Sequence, residues 1–531
     1  MNATANIAAQ IEELIGLADD MRTAGRIEQA GDILATLESL APTEPAIRKA
    51  LAVAIEAFCD RLMRAQDYAG ALEAADRALA LHPGLAVALN NRGNALNGLG
   101  RHKEALAAFT AALVRWPMDP AVRANMAAAL HGLGRLPDAL AQLDRAIWLD
   151  PTLAATHLNR GNVLSDMGRP EEALESYGRA AALDPSMAEA HASRANLLAN
   201  LERHREALDA YDAALAIQPD NAKVRVNRGY SRLSLGDFKG GWRDYEARRA
   251  IPQNLGPSRV LFAPLWLGDE PLQGRTILLH CEQGMGDAIQ FVRYVRAVAA
   301  LGAVVVLEAF EALADLFRTV DGAAQVITRR DPLPAIDFHC PLMSLPLALS
   351  MAGGLAPAAT PYLGVDPALA DRWRGRFPGR LKVGLAVSGN PANGNDRRRS
   401  IPLATVAQAL PLGPSYVLIQ KDIRDEDRAM LSARPDIAFP GPELTSFADA
   451  AAICQDMDLV VSVDTSLCHL AGALARPAWI LLSQPWDWRW RIEGERTDWY
   501  PTARLYRQAA RGDWTETLGR IERDLRALAA S

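Results

Sequence analysis

The chain has 531 residues, half of them hydrophobic and 23% charged, and at roughly 100–200 residues per domain this predicts about three domains with sizeable cores. Its 57 basic and 63 acidic side chains leave a net charge of −6, which argues against a protein organised around a nucleic-acid backbone. Five cysteines, Cys59, Cys281, Cys340, Cys454 and Cys468, lie far apart with no CxxC pair, so neither a disulfide framework nor a cysteine zinc cluster is expected, and a reducing cytoplasm is the expected setting. The opening MNATANIAAQIEEL lacks the basic start and apolar run of a secretory signal. The most apolar stretches, 297–307 and 458–482, are short or are interrupted by Asp464, His469, Arg476 and Pro477, so no transmembrane segment is predicted.

From the first residues to about 251 the chain keeps a 34-residue beat. Pro83, Pro117, Pro151, Pro185 and Pro219 are each one period apart; so are Ala71, Ala105, Ala139, Ala173 and Ala207, and the large residues Phe109, Leu143, Tyr177, Tyr211 and Tyr245. Gly100, Gly134, Gly168 and Gly236 follow the same step, with Glu202 in the missing place. The physical reading is a helix–turn–helix unit: glycine ends the first helix in a left-handed conformation, the small alanine and large residue lock the second helix to its neighbour, and proline stops it. Stacked units bury each other's apolar faces. This period and pattern resemble the tetratricopeptide repeat, with units at about 11–44, 52–85, 86–119, 120–153, 154–187, 188–221 and 222–255.

One position on the first helix of successive units carries Asn91, Asn125, Asn159, Ser193 and Asn227, and three residues later stand Asn94, Ala128, Asn162, Asn196 and Tyr230. Residues three apart share a helix face, so these amides either form a ladder that grips an extended peptide backbone or are polar filler near helix starts. The NRGN of 91–94 and 159–162 resembles the asparagine ladder of the eukaryotic O-linked N-acetylglucosamine transferase, a resemblance that implies a polypeptide client.

The beat stops after Ile251, and 252–271 reads as a Pro/Gly-rich linker. Beyond it, strand, glycine loop, helix and strand alternate, as in a parallel sheet with crossover helices. Strands are expected at 276–280, 303–307, 382–387, 416–420 and 459–463, in two Rossmann-like halves at 272–370 and 371–531, with 514–530 as a terminal amphipathic helix. No GxGxxG, GxxxxGKS/T or GxSxG motif is present, which argues against dinucleotide enzymes, P-loop nucleotidases and serine hydrolases.

Ligands of open parallel sheets gather at the carboxyl ends of the strands, which singles out three loops. In the first, Gln283, Gly284, Gly286 and Asp287 precede Gln290, and Asp287 is either a helix cap or a catalytic carboxylate. The second runs from Gly389 to Ser400 with Asn390, Asn393, Asn395 and the arginines 397–399, either a solvated charge run or an anion site. In the third, Asp464, Thr465, Ser466, Leu467 and His469 open a helix, a ready phosphate site; His469 is either a ligand contact or a packed helix residue. Trp486, Trp488, Trp490 and Trp499, interleaved with Asp487, Arg489 and Arg491, read either as core and hinge packing or as a platform for base or sugar.

Residues 275–510 resemble the heptosyltransferase-type glycosyltransferases of GT-B architecture, most strongly in VVSVDTSLCHLAGALARPAWILL, where Ser466 stands in place of that family's glycine. EQGMGDAIQFVRY, the NDRRRSIPL run and PWDWRWRIEGERTDWYPTARLYRQ extend the resemblance to bacterial proteins that fuse tetratricopeptide repeats to such a module, including flagellin-modifying glycosyltransferases that use nonulosonic acids. The resemblance implies an inverting, metal-independent transfer of sugar from a nucleotide-sugar co-substrate, with no other cofactor, to Ser or Thr of a protein held by the repeats. It implies Asp287 as base and Asn390, Arg399, Gln420, Asp464, Thr465, Ser466, Leu467 and His469 on the donor side. Gln283, Gly284, Gly286 and Gln290 fall on the acceptor side. Two other readings stand beside it: a non-catalytic repeat scaffold with a degenerate transferase half, and transfer to lipid or polysaccharide.

Overall fold

The computed structural model describes residues 45–251, 259–351, 360–390 and 396–530, with scattered positions between 13 and 33. Most of the expected unit 11–44, the start of the linker, and Asn393 and Asn395 lie outside the described residues. Among the described residues six helix pairs follow one another: α1 (Pro45–Arg64) with α2 (Tyr68–Leu81), α3 (Ala86–Gly98) with α4 (His102–Arg115), α5 (Pro120–Gly132) with α6 (Leu136–Leu149), α7 (Ala154–Asp166) with α8 (Pro170–Leu183), α9 (Ala188–Asn200) with α10 (His204–Ile217), and α11 (Ala222–Leu235) with α12 (Phe238–Tyr245). Helix α1 starts seven residues before the unit expected at 52.

The repeat chemistry is visible in each pair. Gly100, Gly134, Gly168 and Gly236 are left-handed, and Gln66 and Glu202 occupy the same place at φ 61°. The N–H of Arg101 closes on Leu96 O and that of Gly100 on Asn97 O, a Schellman turn that satisfies the last carbonyls of α3. The periodic alanines 71, 105, 139, 173 and 207 are fully buried. The large residues press on the preceding helix: a Cβ at Gly93 would lie 2.5 Å from the Phe109 ring, and one at Gly161 2.5 Å from the Tyr177 ring.

Compactness divides the chain into Met1–Leu197 with Asp212–Pro219, and Leu198–Tyr211 with Asp220–Ser531. The last helix pair, inside the solenoid expected at 1–251, belongs to the second of these units. Val226, Leu233, Trp242, Tyr245 and Ile251 share one buried cluster with the first α/β half, and the Trp242 ring meets Phe291 and Trp488 edge-on at 5.5 and 5.1 Å. The described part of the linker is not a bare connection either. Leu265 forms a parallel bridge to His339, and Trp266, 1% exposed, donates its indole N–H to Glu270 O.

The α/β region holds two all-parallel sheets. The first comprises β1 (Thr276–His280), β2 (Val304–Ala309), β3 (Ala323–Thr328) and β4 (Phe338–Pro341) in the order β3-β2-β1-β4. The second comprises β5 (Lys382–Ala386), β6 (Ser415–Leu418), β7 (Ile437–Ala438), β8 (Leu459–Val463), β9 (Ala478–Leu482) and β10 (Ala503–Arg507) in the order β10-β9-β8-β5-β6-β7. Strand order reverses beside β1 and again between β5 and β8, the places where such sheets open a ligand crevice. Helix α13 (Met285–Phe291) follows β1, α14 (Ser466–Ala473) follows β8, and α15 (Thr515–Ala530) ends the described chain.

Buried Arg293, just after α13, ties the halves together. It donates to Trp499 O and to the Tyr362 hydroxyl, both at 3.0 Å, and its guanidinium lies 4.9 Å from the Tyr500 ring centre. No helix among the described residues is long and apolar enough to cross a membrane.

Candidate functional site

The loop after β1 is set by three residues. Glu282, 5% exposed, pairs with the fully buried Arg248 at 2.6 Å, and Arg248 also donates to the Ser344 hydroxyl just past β4. Gln283 is left-handed at φ 57°, and its side-chain oxygen accepts from the Tyr245 hydroxyl at 3.0 Å. Asp287 accepts the Gly284 N–H at 3.0 Å. It therefore does cap α13, as one of the two readings has it, but its other carboxylate oxygen is engaged by Arg489. Burial pushes the Asp287 carboxyl above the usual aspartate range, while Arg489 and the Gly284 N–H pull it back.

Arg489 is the residue that sequence reading passed over. It is 7% exposed and spans Asp287, Asp487 at 2.9 Å, and the side-chain oxygen of Gln290, with its guanidinium 4.3 Å from the Trp488 ring centre. Its only signal was the alternation of Trp and charge in WDWRWR. Gln290 is fully buried against it, so its expected place on the acceptor side is corrected: it supports Arg489 and presents nothing to an acceptor.

The third loop meets the first. A Cβ on Gly286 would lie 2.9 Å from the His469 ring and 3.6 Å from Ser466 Cα, so only glycine lets α13 approach α14 this closely. His469 is buried, with Nδ1 2.9 Å from the Tyr500 hydroxyl and its ring stacked on Trp490 at 5.5 Å. Burial, then the surrounding arginines, hold it far below the ordinary histidine range and keep it neutral. Burial, helped by Asp487, pushes Asp464 up to about 6. Thr465 is buried with its hydroxyl 3.3 Å from Ser462, Ser466 is half-buried, and Leu467 is buried. Asp464, Cys468 and His469 each bring one potential ligand atom within 4.8 Å of the others, but the Cys468 thiol is held well above its usual range by burial and donates to Thr465 O.

Along the second loop Arg399 donates to Asp464 O at 2.9 Å, and among the described residues its buried Nε finds no hydrogen-bond acceptor. Asp396 anchors this loop by accepting from Gly389 N–H, the Ser400 hydroxyl and Arg424. Asn390 is exposed. Half-buried Gln420 shapes the loop: its oxygen accepts Val387 N–H at 2.7 Å and its amide donates to Ser388 at 2.8 Å. Trp488, Trp490 and Trp499 are buried, and their rings meet Trp242, His469 and one another.

In the repeats Asn91 is likewise corrected. It is buried and donates to Glu56 at 2.6 Å and Asp60 at 2.8 Å, so its amide is not offered to a peptide. Asn125 donates to Asn90, and Asn162 accepts from the Tyr177 hydroxyl. Asn94, Asn159 and Asn227 are half-buried and Asn196 is exposed.

Helix pairs in a 34-residue register, joined to two parallel sheets whose first and third loops meet, define a tetratricopeptide-repeat solenoid followed by an α/β module. Residues 57–120, 90–154 and 158–247 match the tetratricopeptide repeat family. Residues 442–481, which include the third loop, match glycosyltransferase family 9 (heptosyltransferase). Protein FlbA of Caulobacter vibrioides is 26% identical over 326 residues, 56% of this chain and 54% of that protein, so the chain spans about half the length of this curated relative. Similar solved structures include YrrB, described as a TPR protein with an unusual peptide-binding site (27% identity, 33% of this chain and 89% of that one, TM-score 0.27). They also include a thermophilic tetratricopeptide repeat protein of Thermus thermophilus (26%, 36% and 100%, 0.31) and a tetratricopeptide repeat protein of Parabacteroides merdae (17%, 46% and 93%, 0.39).

Proposed function

We propose that the chain is an inverting glycosyltransferase of GT-B type that moves a sugar from a nucleotide-sugar to Ser or Thr hydroxyls of a protein acceptor, with flagellin and a nonulosonic acid as the first pair to try. The observation that carries this reading is the meeting of Asp287, at the carboxyl end of the first sheet, with the Asp464–His469 loop at the carboxyl end of the second. Asp287 takes the proton of the acceptor hydroxyl as that oxygen attacks the anomeric carbon. The bond to the phosphate breaks with its electron pair leaving on oxygen, where Arg399, the Thr465 and Ser466 hydroxyls and the N–H groups opening α14 receive the charge. No metal enters the scheme, because these groups supply the positive field. Asn94, Asn125, Asn159, Asn162, Asn196 and Asn227 are assigned to the acceptor backbone, and the reaction is placed in the cytoplasm.

The donor side is tested by titrating UDP, GDP, ADP and CMP into the purified chain by calorimetry. One of them is expected to bind, and Arg399→Ala should weaken it by about tenfold or more, the loss of one charge-assisted contact. Equal binding of all four, unchanged by that substitution, contradicts the assignment.

A further inference from the structure

The Asp287 carboxylate is engaged on both oxygens, one by a backbone N–H and one by a buried guanidinium. A base so held must give up charge when it accepts a proton, and Arg489 is then left with a cation whose partner has been neutralised. Three facts bear on where that cation turns. Arg489 is anchored by Asp487 and Gln290 on its other nitrogens, it is packed on Trp488, and its field reaches Asp464 and His469 as well as Asp287. Its charge therefore acts both on the carboxylate that loses negative charge and on the loop where the phosphate gains it.

We propose that Arg489 is the positioning residue through which Asp287 works as a base: it orients the carboxylate and, once that group has taken the acceptor proton, its released N–H turns to the departing phosphate. This rests on the transferase reading above. The balance is simple. The acceptor O–H proton moves to Asp287, the acceptor oxygen bonds the anomeric carbon, the carbon–phosphate oxygen bond breaks onto oxygen, and one negative charge passes from Asp287 to the leaving group while Arg489 keeps its own charge throughout.

Other charged and titratable groups also face Asp287. Asp487 raises its titration and Arg399 lowers it, while Glu282, Tyr245 and Tyr230 border it from the β1 loop and the last helix pair. The coupling is therefore tested one partner at a time. In full-length chain labelled with ¹³Cγ aspartate, the Asp287 resonance, assigned by its loss in Asp287→Asn, is followed against pH. Arg489→Gln is expected to move its midpoint up by about one pH unit or more, the usual size of an arginine's effect on a neighbouring carboxyl. Arg489→Lys should restore most of the shift, and Asp487→Asn should move the midpoint down. An unmoved midpoint in Arg489→Gln overturns the proposal. Should that variant fail to fold, Asp487→Asn decides: a midpoint equal to wild type overturns it. The titration needs no sugar donor, so it separates failure of the coupling from failure of the transferase reading, which the nucleotide titration reports. With an active donor, Arg489→Gln should shift the acid limb of kcat by the same amount, whereas a purely structural role lowers kcat without moving it.

Discussion

The inner helix pairs and the last one share a register but differ in what their large residue touches. Phe109 and Tyr177 cover a glycine of their own pair, at Gly93 and Gly161. Tyr245, at the same step of the period, reaches Gln283 and Met343 of the α/β half, and around Gly229 the crowding comes from backbone at Gly241 and Tyr245. The period reports where a unit repeats, not what it packs on. A terminal unit with no following repeat buries its face on whatever comes next, and here that includes the loop after β1.

The largest effect that should separate the two kinds of unit is truncation. A chain starting at 252 loses Trp242 and Tyr245 from the buried cluster, and the buried Arg248 with them, and is expected to give no cooperatively unfolding protein by circular dichroism. A chain starting at 188 keeps them and should unfold cooperatively. Next in size, Arg248→Met leaves Glu282 buried without its cation and should cost about 3–5 kcal/mol in urea unfolding. Phe109→Ala should cost about 3–5 kcal/mol by cavity formation, and should leave the Asp287 titration where it is.

Smaller effects sharpen the same contrast. Gln66 and Glu202 both sit at φ 61°, where glycine relieves about 1 kcal/mol of left-handed strain. Gln66→Gly should therefore raise the melting temperature. Glu202→Gly should not, because the Glu202 carboxylate accepts the Trp486 N–H at 3.1 Å and helps seat the segment that carries Arg489. Finally, burial and Asp60 push Glu56 up to about 7 from an ordinary 4.5. The folded state then binds the extra proton, so this group's contribution is full below pH 4.5 and is lost as pH rises through 7. Glu56→Gln should flatten the fall in repeat stability across that window.

The solenoid was legible because its signals are local: period, glycine turns, proline stops. Strand Leu459–Val463 was legible as a continuous apolar run with a loop and helix behind it. Strand β3 was not, since only Ile327 of Ala323–Thr328 is buried and the sequence shows no alternation, and β7 is two residues long. The loops carrying Asp287, Arg399 and His469 were readable from strand ends. Arg489 was not, because its role comes from 202 residues of separation from Asp287 and leaves no spacing in the chain. The amides of Asn91 and Gln290 misled for the converse reason: residue type shows a capacity to hydrogen-bond, not the partner that takes it.

In the proposed transfer Asp287 is the base that deprotonates a protein hydroxyl. The most direct test of this is the intact mass of flagellin and other candidate acceptor proteins from cells carrying the wild-type chain, Asp287→Asn, or no chain. A sugar-sized mass is expected on the acceptor in wild-type cells, with its absence both in Asp287→Asn and in cells without the chain, since loss of a general base costs about 10²–10⁴ in rate. Full modification persisting in Asp287→Asn cells would contradict the assigned base, and identical acceptor masses in wild-type and chain-less cells would contradict transfer to those proteins.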